Sequence, residues 1–114
     1  MSRKRVPMAT CSILWSMEPC VFQLMLTTTI TPYTVIERSR KGTGIDYWLG
    51  ENGSYMFQKK ARLEVSGLLK GDDTDIKRRH AAKVKQTHQS DSTLLPVYVS
   101  VIEFGTPKAL FTLR

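Results

Sequence analysis

The chain has 114 residues, enough for one domain whose core needs neither disulfides nor a structural metal. With 41% hydrophobic and 24% charged residues it is too apolar for wholesale disorder. A net charge of +7 and a pI near 9.7 favour polyanionic partners such as nucleic acid or an anionic membrane surface.

The N-terminal "MSRKR" is positively charged, and "VPMATCSILWSMEPCVFQLML" after it is mostly apolar. Pro7, Glu18, Pro19 and Gln23 interrupt it, so no run reaches the length of about 18 residues needed to span a bilayer. No A-x-A-like cleavage site follows Met17. The expectation is a cytoplasmic protein with no membrane association. Cys11 and Cys20, the only cysteines, lack both the CxxC spacing of redox folds and a second pair for zinc, and read as reduced thiols. Residues 1–30 form the least readable segment. It suggests a short buried helix around Ser12 to Met17, a break at Glu18-Pro19, then a strand or second helix from Cys20 to Leu26. A truncated reading frame is the other account of this segment, and its product would have no independent role.

Residues 31–114 read as a single domain. "YTVIERSR" is rich in β-branched and aromatic residues and predicts a strand, with Tyr33 and Val35 on one side and Thr34 and Ile36 on the other. "KGTG" supplies a turn and "IDYWLG" a second strand. "ENGS" is a hairpin signal, because Asn-Gly tolerates the positive φ of tight turns. "YMFQKKARLEVSGLL" then continues as one long or bent strand, with Leu63 and Val65 facing one way and Arg62, Glu64 and Ser66 the other.

At "KGDDTDIKRRHAAKVKQTHQS" the period changes. Gly71 ends the strand, and Asp72 or Asp73 caps a helix running to about Gln89, with Ile76, His80 and Val84 as its apolar stripe. "VYVSVIEF" is apolar on both faces until Glu103, the pattern of a strand buried on two sides. The tail "GTPKALFTLR" adds an edge strand or a helix. The predicted class is α+β: an antiparallel three-strand meander, a helical crossover, and a buried fourth strand.

This order of elements, with Asp46 in "GTGIDYWLG" and Glu64 in "ARLEVSG", resembles the core of the restriction-endonuclease-like, or PD-(D/E)xK, nucleases across residues 33 to 104. The resemblance implies an aspartate on the second core strand and a Glu-x-Lys on the third, converging on Mg²⁺. It makes Asp46 and Glu64 the candidate metal ligands and, with Ser66, the candidate catalytic set. Ser66 occupies the lysine position and carries no charge; Lys41, Lys59, Lys60 and Arg62 are the nearby cations that can replace it. The stretches "KGTGIDYWLG", "ARLEVSG", "LKGD" and "PVYVSVIEF" are also similar to a bacterial protein family, a likeness that implies no activity.

Each candidate has a plainer reading. Asp46 and Glu64 are otherwise outward-facing residues on the wet side of a sheet, Glu64 pairing with Arg62 or Lys60. The helix face bearing Lys77, Arg78, Lys83 and Lys85, with Arg79 on its flank, either tracks phosphates or is a solvated surface. Arg38, Arg40 and Lys41 lead into "GTG", which lacks the P-loop spacing and reads as a hairpin turn. Tyr47, Trp48, Tyr55 and Phe57 stack on bases or pack in the core. His80 and His88 are spaced too widely for a paired-ligand motif.

The functional expectation is a small basic protein that binds DNA or RNA through Arg38, Lys41, Lys59, Lys60, Lys77, Arg78, Lys83 and Lys85. Its nuclease-like Mg²⁺ site is either active or degenerate. The alternative is a non-enzymatic module that buries Trp48 and its strand edges against a protein partner.

Overall fold

The computed structural model describes residues 2–5, 19–51 and 58–114. Cys11, the helix expected at Ser12 to Met17, the turn in "ENGS", and Tyr55 and Phe57 lie outside the described residues. Pro19 opens helix α1 (Pro19–Ile30). A proline costs nothing there, because the first N–H groups of a helix have no intrahelical partner. The Thr27 and Thr31 hydroxyls donate to the Gln23 and Thr27 carbonyls at 2.9 and 2.8 Å, and Thr31 receives the Tyr33 amide at 3.2 Å as the chain turns into the sheet.

The sheet is built from β1 (Ser2–Arg5), β2 (Tyr33–Arg38), β3 (Tyr47–Glu51), β4 (Ala61–Leu68), β5 (Val97–Glu103) and β6 (Lys108–Leu113), in the order β1-β6-β5-β4-β3-β2. Helix α2 (Asp73–Thr87) and a 3₁₀ segment (His88–Thr93) connect β4 to β5. The α+β class is as expected, but the sheet is not a three-strand antiparallel meander with one strand added. It is mixed: β2 to β6 form five strands in which β4 and β5 run parallel and every other pairing is antiparallel, with β1 added at the β6 edge. The tail "KALFTL" pairs along the whole of β5 and buries Phe111, which its unremarkable local pattern did not announce.

Both faces of the sheet are covered. On one, Phe22 and Leu26 of α1 pack on Leu49, Leu63, Ile102 and Phe111. Helix α1 thus supplies part of the core of the domain at 31–114. On the other face Ile45, Trp48, Val97 and Val99 meet Val84 of α2. The alternation along β4 is as predicted, but Arg62, Glu64 and Ser66 face α2 instead of water and are 4%, 1% and 9% exposed.

Helix α2 is capped by Asp72, which accepts the Asp75 amide at 2.9 Å while the Asp75 carboxylate accepts the Asp72 amide at 3.0 Å. Ile76 and His80 are buried on its stripe, His80 against the Thr112 hydroxyl at 2.7 Å. The α-helix stops at Thr87, short of the predicted Gln89. There the buried Arg62 guanidinium takes the Thr87 carbonyl at 3.1 Å, the Ser90 hydroxyl at 3.0 Å and Asp91 at 3.1 Å, and also donates to the Leu95 carbonyl. Among the described residues, no helix is long and apolar enough to cross a membrane.

Candidate metal centre and anion cleft

Asp46 lies one residue before β3 and is fixed by its own backbone. Its amide donates to the Leu63 carbonyl at 2.9 Å, and its carbonyl receives the Ser39 amide at 2.8 Å. Its carboxylate accepts the Val65 amide at 3.0 Å, which turns the side chain toward β4. Glu64, projecting from β4 beneath α2, meets it there. The two carboxyls are joined by a side-chain hydrogen bond.

Burial is the main force on the Glu64 proton, followed by its hydrogen bond to Asp46 and the negative charge of that neighbour. Lys83 and the Val65 amide oppose them, and the net result is a carboxyl pushed up to about 8. At neutral pH Glu64 therefore holds a proton against Asp46, the behaviour of two carboxyls too close to ionise together.

Helix α2 lies over β4 and presents three polar side chains to it in helical sequence. Arg79 donates to the Ser66 hydroxyl at 2.9 Å. One turn on, the Lys83 ammonium reaches the Gln86 amide oxygen at 3.5 Å, and its charge opposes the upward push on the Glu64 carboxyl. Gln86 donates its amide both to the Glu64 carboxyl and to the Gly44 carbonyl, the latter at 3.3 Å. The spacing of 79, 83 and 86 puts all three on one helix face. That spacing was present in the sequence, but the apolar stripe beside it drew attention away, and Gln86 was missed.

Asp46 and Gln86 also line a cleft of about 380 Å³ between the β2–β3 loop and the C-terminal turns of α2. Arg38, Arg40 and Lys41 form its basic wall, and Gln89 lies opposite. The loop is braced internally: the Ser39 and Thr43 hydroxyls are 2.5 Å apart, and Thr43 donates to the Arg40 carbonyl at 2.9 Å. Gly42 and Gly44 adopt positive φ, and at Gly44 a Cβ would stand 2.0 Å from the Gln86 carbonyl oxygen.

The remaining candidates separate. Arg38 and Lys41 are in the cleft, and Arg40 joins them. The charge of Lys83 acts on Glu64. Lys59 lies over the Trp48 ring at 4.3 Å and pairs with Glu37 at 3.6 Å, away from the carboxyls. Lys60, Lys77, Arg78 and Lys85 are exposed, with Arg78 near Asp75 at 4.0 Å. The hydroxyl of Ser66 is taken by Arg79. Trp48, 8% exposed, packs inside the domain, so its ring is not presented for base stacking. Arg62, a candidate replacement for the missing lysine, is committed to the end of α2.

No group of three or more His, Cys, Asp and Glu side chains converges among the described residues. Mg²⁺ does not require one, since it takes one or two protein carboxylates and keeps several waters. Two adjoining carboxyls, one of them lining an open cleft, fit that demand. The chain matches no protein-family model, no curated protein and no solved structure.

Proposed function

We propose that the cleft binds the phosphate backbone of nucleic acid and that Asp46 and Glu64 hold Mg²⁺ for phosphodiester hydrolysis. The observation that carries this is the meeting of the Asp46 and Glu64 carboxyls beside a wall of three cations. The arrangement supports the resemblance to the restriction-endonuclease-like nucleases in one altered respect: the cation comes from α2 instead of from the strand position of Ser66.

Each residue has a task in this reading. Arg38, Arg40 and Lys41 hold phosphates and fix the strand's path. Asp46, already anchored by the Val65 amide, is the ligand with its geometry set in advance. Glu64 would hold a metal as the deprotonated carboxylate, with the Gln86 amide orienting its carboxyl. Lys83 places positive charge next to the carboxyls, where negative charge develops on the phosphate during attack. When bound, the metal polarises the phosphoryl oxygen and acidifies a water. In the alternative, a module burying Trp48 and its strand edges against a protein partner, Trp48 takes no part, because it is packed within this chain.

The test is titration of ¹⁵N-labelled protein with Mg²⁺, then Mn²⁺, alongside cleavage assays on labelled DNA and RNA. Saturable shifts centred on residues 46 and 64, absent in Asp46→Ala and Glu64→Ala, together with cleavage lost in the same variants, are expected. A folded protein with no shifts at millimolar metal would overturn the hydrolytic reading.

A further inference from the structure

Gln86 joins two parts of the molecule that the sequence keeps far apart. Its side-chain amide has two N–H donors, and each has a partner. One goes to the Glu64 carboxyl on β4, the other to the Gly44 carbonyl in the β2–β3 loop at 3.3 Å. The amide oxygen meets the Lys83 ammonium at 3.5 Å. That contact fixes the amide in this orientation, since the reversed amide would set its oxygen against the Gly44 carbonyl and its N–H groups against a cation.

The link closes into a ring. Gly44 stands two residues before Asp46, whose amide donates to the Leu63 carbonyl at 2.9 Å and whose carboxylate takes the Val65 amide at 3.0 Å, on either side of Glu64. The Asp46 and Glu64 carboxyls are hydrogen-bonded to each other. Glu64, Gln86, Gly44 and Asp46 thus form one circuit. The loop backbone rests directly on α2, where a Cβ at Gly44 would meet the Gln86 carbonyl oxygen. This loop carries Arg40 and Lys41 into the open cleft, and Arg38 at the end of β2 joins them there. Movement of the loop relative to α2 therefore acts on the same amide that holds the Glu64 carboxyl.

We infer that Gln86 is a positioning residue that couples the cationic loop to the carboxyl pair, so that a phosphate held by Arg38, Arg40 and Lys41 is registered at Glu64. This rests on the reading of the cleft as a phosphate site and of the two carboxyls as metal ligands. Glu64 does not line the cleft, whereas Gln86 does, and Gln86 touches Glu64. A change at the cleft thus reaches the Glu64 carboxyl through Gln86 as well as through Asp46. Such coupling is reciprocal: a metal on the carboxyls alters the affinity for phosphate by the same factor that phosphate alters the affinity for metal.

The test is titration of ¹⁵N,¹³C-labelled protein with inorganic phosphate, in chelator, for wild type, Gln86→Met and Gln89→Met. Methionine keeps the side-chain length and the helix propensity but donates no hydrogen bond. Gln89 lines the same cleft and controls for a change in its wall. In wild type, phosphate is expected to shift the loop amides and the Glu64 carboxyl ¹³C resonance along one saturation curve. In Gln86→Met the loop should bind phosphate with nearly unchanged affinity while the Glu64 response is largely lost; Gln89→Met should keep it. Gln86→Lys, whose ammonium can donate to both oxygens, should restore it in part. In the cleavage assay, Gln86→Met should lower kcat by about 10-fold to 10²-fold with KM little changed, the mark of a misplaced ligand. A Glu64 response that persists in Gln86→Met overturns the inference and passes the coupling to Asp46. Loop shifts in wild type without a response at Glu64 overturn it and leave the cleft as an anion site. No phosphate shifts at all overturn it together with the reading of the cleft. A response lost in Gln86→Met, in a protein that shows no metal-dependent cleavage, upholds the coupling and removes the hydrolytic reading.

Discussion

The Arg79 guanidinium donates to the Ser66 hydroxyl at 2.9 Å, so a cation from α2 stands against the α2-facing side of β4. The charge of Lys83, one turn further along α2, acts on Glu64, while Arg79 is engaged with Ser66.

Lys83→Ala should therefore separate two effects. Loss of a preorganised charge at the reacting phosphate is expected to lower turnover by about 10²-fold or more. Independently of any activity, the Glu64 carboxyl should titrate above its wild-type value of about 8, because Lys83 is a force holding it down. Carboxyl ¹³C NMR across pH reads the second effect, and Lys83→Arg should restore it in part. An unchanged Glu64 titration would show that Lys83 does not act on this site.

The raised Glu64 carboxyl also predicts a pH dependence of stability. Between pH 4.5 and about 8 the unfolded chain has released this proton and the folded chain retains it. The unfolded state then binds fewer protons, so this group's contribution makes stability fall as pH rises through that window. Allowing for relaxation and neighbouring charges, the penalty is on the order of 2 kcal/mol. Glu64→Gln carries no such proton. In chelator, urea denaturation should show the variant similar to wild type at pH 4 and more stable by about that amount at pH 8 to 9. A difference independent of pH would contradict the buried, proton-retaining state of Glu64.

The two loop glycines give a matched pair. Both adopt positive φ, +93° at Gly42 and +72° at Gly44, but only at Gly44 is there an obstacle, the Gln86 carbonyl oxygen 2.0 Å from a would-be Cβ. Gly42→Ala is expected to cost about 1 kcal/mol of backbone strain and leave nucleic-acid binding nearly intact. Gly44→Ala adds a backbone clash to that strain, so it should cost clearly more and separate the loop from α2. Thermal melts and nucleic-acid binding measured side by side check both. Equal behaviour of the two variants would mean that the loop is not seated on α2.

Much of this architecture was legible in the sequence. The β-branched runs at 33–38 and 97–103, the Asp72 cap and the stripe through Ile76 and His80 are local signals, and each produced its element. The pairing of Asp46 with Glu64 was legible only through resemblance, because sequence does not show that α2 covers the even-numbered face of β4. For the same reason Glu64 and Ser66 read as wet. A buried charged residue looks like an exposed one until its partners are known, and those partners, Gln86 and Arg79, are 22 and 13 residues away. The turn of Lys108–Leu113 onto β5 was hidden because its burial depends on that pairing, not on its own composition.

Arg62 is the clearest case of a side chain whose role depends on tertiary structure. Placed beside Glu64 in sequence, it read as that carboxylate's partner or as a migrated catalytic cation. It is instead 4% exposed and its guanidinium joins β4 to the end of α2, through the Thr87 and Leu95 carbonyls, Ser90 and Asp91. Arg114 and His88 also reach Asp91, and hydrogen bonds from Arg114, His88 and Arg62 hold its carboxyl well below the usual range. Removing Arg62 would leave the buried Thr87 carbonyl and the Leu95 carbonyl short of a donor, while Asp91 keeps Arg114 and His88, a loss of about 2–4 kcal/mol. Arg62→Met, which keeps the apolar stem, should recover only a small part of it. Because the hub sets where α2 ends, Gln86 should also lose its alignment, and Glu64 should titrate differently in any Arg62 variant that still folds. Denaturation together with carboxyl NMR tests this, and a variant within 1 kcal/mol of wild type would show that the hub carries no weight.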